Sequence, residues 1–200
     1  MIPRHLKITA GLLLVALLIT GIYLRTLKHH AAQIAPSSAE IQRPVPPPIA
    51  GPTEHVTLFV PDDQQGVLRR EDKALPLPTD PAPRVRELLR ALIARMDEKD
   101  SPHSLPLGSD VNEVYVINGN LAVVDMNTAL ADGHRSGVLA EELTVLSLVQ
   151  TLSANAPAIT RVKILVNGKE RETLAGHAGL ADFFDVAAVA RLADQMQASK

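Results

Sequence analysis

Apolar and polar positions fall into three regimes along the 200 residues. From Ile8 to Leu24 the run ITAGLLLVALLITGIYL has no charge, and at that length it crosses a bilayer as one helix. Arg25 can snorkel, which extends the span to residue 27 and leaves residues 1–7 as a short basic tail. A cleaved signal peptide is the competing reading, but the flank RTLKHHAAQ is basic and has no small-residue cleavage motif. Residues 28–54 then lose all periodicity. Their prolines fix φ and remove backbone donors, so neither helix nor sheet persists, and Pro44 to Pro48 favour a polyproline spacer.

Periodicity begins at His55. HVTLFVP reads as a first strand, the polar DDQQG as a turn, and Val67 to Leu75 as an irregular partner. Asp80 before Pro81 starts a helix with Val85, Leu88, Leu89, Leu92, Ile93 and Met96 on one face. VNEVYVINGNLAVVDMN is a hairpin around Asn118 and Gly119. A two-residue loop would group Val114 and Val116 with Leu121 and Val123; a three-residue loop would group them with Ala122, Val124 and Met126. Both faces carry apolar residues, which predicts a hairpin central in its sheet.

Gly137 opens a second helix with Glu141 and Glu142 near its positive end, and its broad apolar stripe predicts burial. Pro157 stops it. RVKILV is a strand that turns at Asn167 and Gly168, with Glu170 to Leu174 returning as its partner. FFDVAAVARLADQM adds a short amphipathic helix, so residues 183–200 form a C-terminal appendage to a domain spanning 55–182. The order of elements predicts an α/β (α+β) fold of split β-α-β layout, two helices on one face of a mostly antiparallel sheet, behind a single transmembrane helix.

Composition narrows the function. A formal charge of −2 and 2% aromatic residues, with no Trp, give neither the field nor the stacking platforms that nucleic acid needs. The absence of cysteine excludes disulfides, thiolate zinc sites and a cysteine-linked lipid. Arg4 and Lys7 before the apolar run nearly balance Arg25 and Lys28 after it, and it is the shortness of the basic tail that favours a cytoplasmic N-terminus, which would put residues 26–200 outside the cytoplasm.

Candidate chemistry is sparse. Asp62 and Asp63 could act as a carboxylate pair, but Asp in such a stretch is better explained as turn-forming. Asp125, Asp132, His134, Ser136, Glu141 and His177 are the polar residues that merit testing as a site. Asp132, His134 and Ser136 share one loop, yet a triad needs a nucleophile, an oriented base and oxyanion donors in fixed geometry. No nucleophile elbow, His-Glu-x-x-His helix or phosphate-binding loop occurs. His134, His177 and Glu141 match no compact zinc spacing. His29 and His30 read as solvated residues flanking the span. No catalytic residue, metal or cofactor is therefore expected. Arg84, Arg86, Arg90 and Arg95 line the first helix and are the candidate interaction surface, while KERE at Lys169 to Glu172 reads as the solvent side of an edge strand.

Two stretches are more specific than this patterning: AEELTVLSLVQTL in the second helix and VKILVNGKERETLAGH after it. With HVTLFVPDD, ALPLPTDP and VYVINGNLAVVDMN, they make His55 to Leu174 resemble a GerMN domain, the module named for sporulation and spore-germination proteins. The resemblance implies a non-catalytic, membrane-tethered interaction or assembly module of the bacterial envelope, akin to ring-building modules. It implies anchorage in the inner membrane, and envelope proteins, copies of itself included, as partners. A ligand- or cell-wall-fragment-binding domain is the alternative, and an envelope hydrolase a weaker one. Two departures matter. Many relatives are anchored through a lipid-modified cysteine that this chain lacks, and there is one copy of the domain here, not a tandem pair.

Overall fold

A computed structural model describes residues 52–198, with side chains through residue 195. The expected transmembrane helix at 8–27 and the proline-rich tether lie outside the described residues, as does the Met196 side chain expected on the last helix. Among the described residues no helix is long and apolar enough to cross a membrane.

Strand β1 (Thr53–Asp62) and strand β2 (Val67–Pro76) pair antiparallel from Thr53 with Pro76 to Asp62 with Val67. The Asp62 carboxylate accepts the N–H groups of Gln64 and Gln65, each at 2.9 Å, and Gly66 closes the turn at φ 64°. Helix α1 (Pro81–Met96) starts after Asp80 with proline in its first turn, and buries the six residues its spacing marks: Val85, Leu88, Leu89, Leu92, Ile93 and Met96.

Strand β3 (Val111–Ile117) and strand β4 (Leu121–Met126) form the expected hairpin, and its loop has three residues. Asn118 at φ 52° and Gly119 at φ 73° occupy the left-handed region, which Asn and Gly tolerate best. Val114 therefore faces Val124, and Val116 faces Ala122. After helix α2 (Thr128–Asp132), helix α3 (Val138–Asn155) leads into strand β5 (Arg161–Val166), which lies parallel to β4. Strand β6 (Phe184–Asp185) adds antiparallel to β5, and helix α4 (Val186–Ala198) follows. Helix α1 packs on β3 and β1, and α3 packs on β1, α1 and α4.

The α+β class and antiparallel bias hold, but the single sheet does not. There are two sheets among the described residues, β1-β2 and β3-β4-β5-β6. The reason lies on α3. Thr151 Oγ1 accepts the Phe59 N–H at 3.1 Å, Ser147 Oγ donates to the Phe59 carbonyl at 2.5 Å, and Asn155 takes both the N–H and the carbonyl of Thr57, at 3.0 and 2.7 Å. A row of helix side chains occupies the edge of β1 where a further strand would bond.

Two smaller expectations are also corrected. Only β4 of the hairpin is interior; β3 stands at the end of its sheet, with Tyr115 57% and Ile117 45% exposed. Glu170 to Leu174 form no strand. The chain makes one bridge to β5, Lys169 to Val166, then leaves the sheet and folds back on itself at a second, Thr173 to Gly179, so KERE does not line an edge strand and β6 pairs with β5 instead.

Candidate functional site

The four arginines of α1 lie where the sequence puts them, but each is engaged by a carboxylate. Arg84 grips Glu54 with two bonds of 2.9 and 2.7 Å, and Arg95 grips Glu71 at 2.7 and 3.1 Å. Arg90 reaches Asp110 at 3.1 and 3.2 Å and the Val111 carbonyl at 3.3 Å, while Arg86 meets Glu113 at 3.4 Å. The hydrogen bonds to Glu54 and Glu71 raise Arg84 and Arg95 above the ordinary arginine range, and Arg84 in turn lowers Glu54. Their side chains are 14% to 23% exposed, so this is a laced seam joining α1 to the strands, not a free cationic face.

Asp62 is buried and ion-paired with Arg69. Burial pushes its carboxyl up, but the N–H groups of Gln65 and Gln64 and the charge of Arg69 outweigh that and hold it below the usual range. It forms the turn, as its composition suggests.

Glu141, in the first turn of α3, is wholly buried. Its Oε2 accepts the backbone N–H groups of Ala175, His177 and Ala178 at 2.9, 2.9 and 3.0 Å; its Oε1 accepts Gly137 N–H at 3.2 Å and His177 Nδ1 at 2.9 Å. Burial raises the carboxyl, but this ring of donors, led by His177, brings it far below the carboxylate range. The two specific stretches of sequence meet here: AEEL provides the anion and LAGH the backbone that wraps it.

The same geometry decides the triad question. Ser136 Oγ lies 3.4 Å from His177 Nδ1, the nitrogen already donating to Glu141. A working relay needs the carboxylate on one ring nitrogen and the nucleophile on the other. Both are at Nδ1, so Ser136, His177 and Glu141 form a structural cluster. Asp132 pairs with Arg171 at 2.6 Å on the surface, and Asp125 accepts Gly168 N–H at 2.6 Å, pinning the turn after β5. Among the described residues no three His, Cys, Asp or Glu side chains converge to hold a metal.

His134 belongs to a second cluster that the sequence does not disclose. Thr144 Oγ1, one turn beyond Glu141, lies 2.8 Å from His134 Nε2, 2.8 Å from His103 Nε2 and 3.0 Å from the Ala140 carbonyl. His103 Nδ1 reaches Asp63 at 2.7 Å, and Arg135 reaches the other oxygen of Asp63 at 2.6 Å. His134 Nδ1 donates to the Arg135 carbonyl at 2.9 Å. Burial lowers the His134 pKa and outweighs that bond, which acts to raise it. Beside the cluster is a cavity of 380 Å³ lined by Asp63, Gln64, Ser104, Leu105, Gly133 and Arg135, among others. His103 and Thr144 are missed from sequence because nothing local distinguishes a histidine in SPHSLP or a threonine within a helix; only the fold brings 63, 103, 134 and 144 together.

Comparison with known proteins gives one family. The family model described as Germane, sporulation and spore germination, matches residues 57–172. No curated protein matches the chain. Among solved structures, the first GerMN domain of the sporulation protein GerM from Bacillus subtilis is 20% identical, with 66% of this chain and 98% of that one covered, at a TM-score of 0.49. The tandem GerMN domains of the same protein are 21% identical, covering 67% and 46%, at 0.46. A candidate lipoprotein from Clostridium perfringens is 19% identical, covering 66% and 87%, at 0.45.

Proposed function

From the premise that this chain belongs to the Germane family of sporulation and spore germination domains, we propose that it is a non-catalytic, membrane-tethered protein-interaction module of the bacterial envelope. In this reading the apolar segment at 8–27 anchors it in the inner membrane, and the folded domain works outside the cytoplasm on protein partners, copies of itself included.

One observation carries the reading. The polar groups that might do chemistry hold the fold together, whereas β3, at the end of its sheet, presents Tyr115 and Ile117 to solvent. A terminal strand with exposed apolar side chains offers both backbone pairing and side-chain anchoring to a partner. Of the other borders, β1 is covered by α3, β2 carries Arg69, Arg70, Asp72 and Lys73, and β6 is only two residues long. The α1 arginines support such a surface indirectly, because their pairs with Glu113 and Asp110 fix β3 against the helix.

The test is site-specific photocrosslinking at Tyr115 and Ile117 in native membranes. The expected result is a discrete protein adduct that Ile117→Lys abolishes, with Ser136→Ala and His177→Ala leaving the adduct and the cellular process intact. Loss of the process in a folded, anchored Ser136→Ala protein would reopen the hydrolase reading. The cavity beside Asp63 and Arg135 favours a second reading, a small envelope ligand held without chemistry. Saturable binding of a cell-wall fragment, lost in Arg135→Ala, would establish it.

A further inference from the structure

The hydrogen bonds around Thr144 do not balance unless one more proton is present. Asp63, ion-paired to Arg135, only accepts, so His103 Nδ1 must carry a hydrogen. The Arg135 carbonyl also only accepts, so His134 Nδ1 must carry one too. If both rings are neutral, both Nε2 atoms are bare acceptors. Each then faces Thr144 Oγ1 at 2.8 Å, and the Ala140 carbonyl is a third acceptor at 3.0 Å. A hydroxyl has one hydrogen to give. One histidine would be left lone pair against lone pair in a buried site, His103 being 2% and His134 7% exposed.

We infer that the His103–Thr144–His134 cluster is a binding site for one proton, held so as to clasp three loops to α3. With that proton on His103 Nε2, the ring donates to Thr144 Oγ1 and Thr144 donates to His134 Nε2, while the Ala140 carbonyl, inside α3, is left to its helical N–H, so every member has a partner. His103 is the ring that takes it, because Asp63 lies against it, whereas His134 faces a carbonyl. A second proton would place two imidazolium rings in the same buried site with centroids 6.1 Å apart. The charges surrounding the cluster are Asp63 from the β1–β2 turn, Arg135 from the loop before α3, and Glu141 one turn earlier on α3. The clasped loops are those carrying Asp63, His103 and His134, and they border the cavity, so loss of the proton loosens its wall.

The experiment is nitrogen NMR of the full chain labelled with 15N-histidine, which reads the protonation of each ring from its two nitrogen shifts. His103→Gln and His134→Gln spectra supply the assignments, and through-bond correlations supply them if a variant does not fold. At pH 7 the two rings together should carry close to one imidazolium charge, on His103, with His134 neutral and protonated at Nδ1. As the pH is raised, the charge should be lost in one step. Above that step, hydrogen exchange of the amides from His103 to Leu105, corrected for intrinsic base catalysis, should quicken at least tenfold. A summed charge nearer zero or nearer two at pH 7 overturns the inference, and so does a charge resident on His134. Unchanged corrected exchange across the step overturns the clasp.

Discussion

Helices α1 and α3 are of similar length and pack side by side, yet polar residues mean opposite things on them. On α1 the apolar stripe is narrow and the polar residues stand outside it, where arginines make partly buried ion pairs with neighbouring strands and their flanks. On α3 nearly every position from Ala140 to Leu152 is buried, and four of its polar residues, Glu141, Thr144, Ser147 and Thr151, are buried with hydrogen-bond partners. They hydrogen-bond strand backbone and the loops packed against the helix. The polar residues that flank a one-faced helix add a seam of individually modest ion pairs; those four on the helix buried all round are structural bonds.

Four substitutions grade that contrast. Leu146→Asp, on the buried helix, should have the largest effect: an unpaired carboxylate in place of a leucine that is 7% exposed costs several kcal/mol, roughly 4 or more. Chemical denaturation of the domain should find it largely unfolded, and unchanged stability would put α3 the wrong way round. Glu141→Gln should cost about 3 kcal/mol at neutral pH, since the amide turns donors towards the Gly137 N–H and the His177 ring. Because the Glu141 carboxyl is held below its unfolded range, its contribution is complete above about pH 5 and is lost progressively as pH falls towards the folded value. Denaturation midpoints from pH 6 down to 2 should therefore fall steeply for the native chain and less steeply for the variant.

Thr151→Val comes next. It keeps the shape but leaves the Phe59 N–H bare, a loss of about 1 to 2 kcal/mol, and amide exchange at Phe59 should rise with it. The smallest effect belongs to α1: Arg90→Ala should cost under about 1 kcal/mol, and added salt should shrink the difference. Should Arg90→Ala cost as much as Thr151→Val, the distinction between the two helices fails.

The contrast also explains what could be read from sequence. Helix α1 was legible to the residue because one face is hidden and the period shows it. Strands β1, β3, β4 and β5 were legible from β-branched runs, and the hairpin at Asn118 and Gly119 from its turn residues, with the loop length left open between two registers that only pairing decides. The separation into two sheets was not legible, because it depends on Ser147, Thr151 and Asn155 reaching β1 across some ninety residues of chain. Glu141 was visible as a helix-start carboxylate, but its burial was not, since its donors are backbone N–H groups that any sequence has. Candidate sites fared similarly. Asp132, His134, Ser136 and His177 are residue types that do chemistry, but the fold places them in two separate hydrogen-bonded clusters and a surface ion pair.

The row of α3 side chains along β1 sets a rule for insertions and deletions. Thr57 and Phe59 are two residues apart on a strand, about 6.8 Å at ~3.4 Å per residue. Their helix partners, Asn155 and Thr151, are four apart, about 6 Å at 1.5 Å per residue, so the two repeats run nearly in step. Exchanges among Ser, Thr and Asn preserve that match. One residue added between Thr151 and Asn155 would turn the remainder of the helix by about 100° and swing Asn155 away from Thr57. Lengthening the loop at 156–160 would leave the match untouched. Length variation in this domain should therefore be confined to its loops, and the span from Ser147 to Asn155 should behave as a ruler whose marks can be redrawn but not respaced.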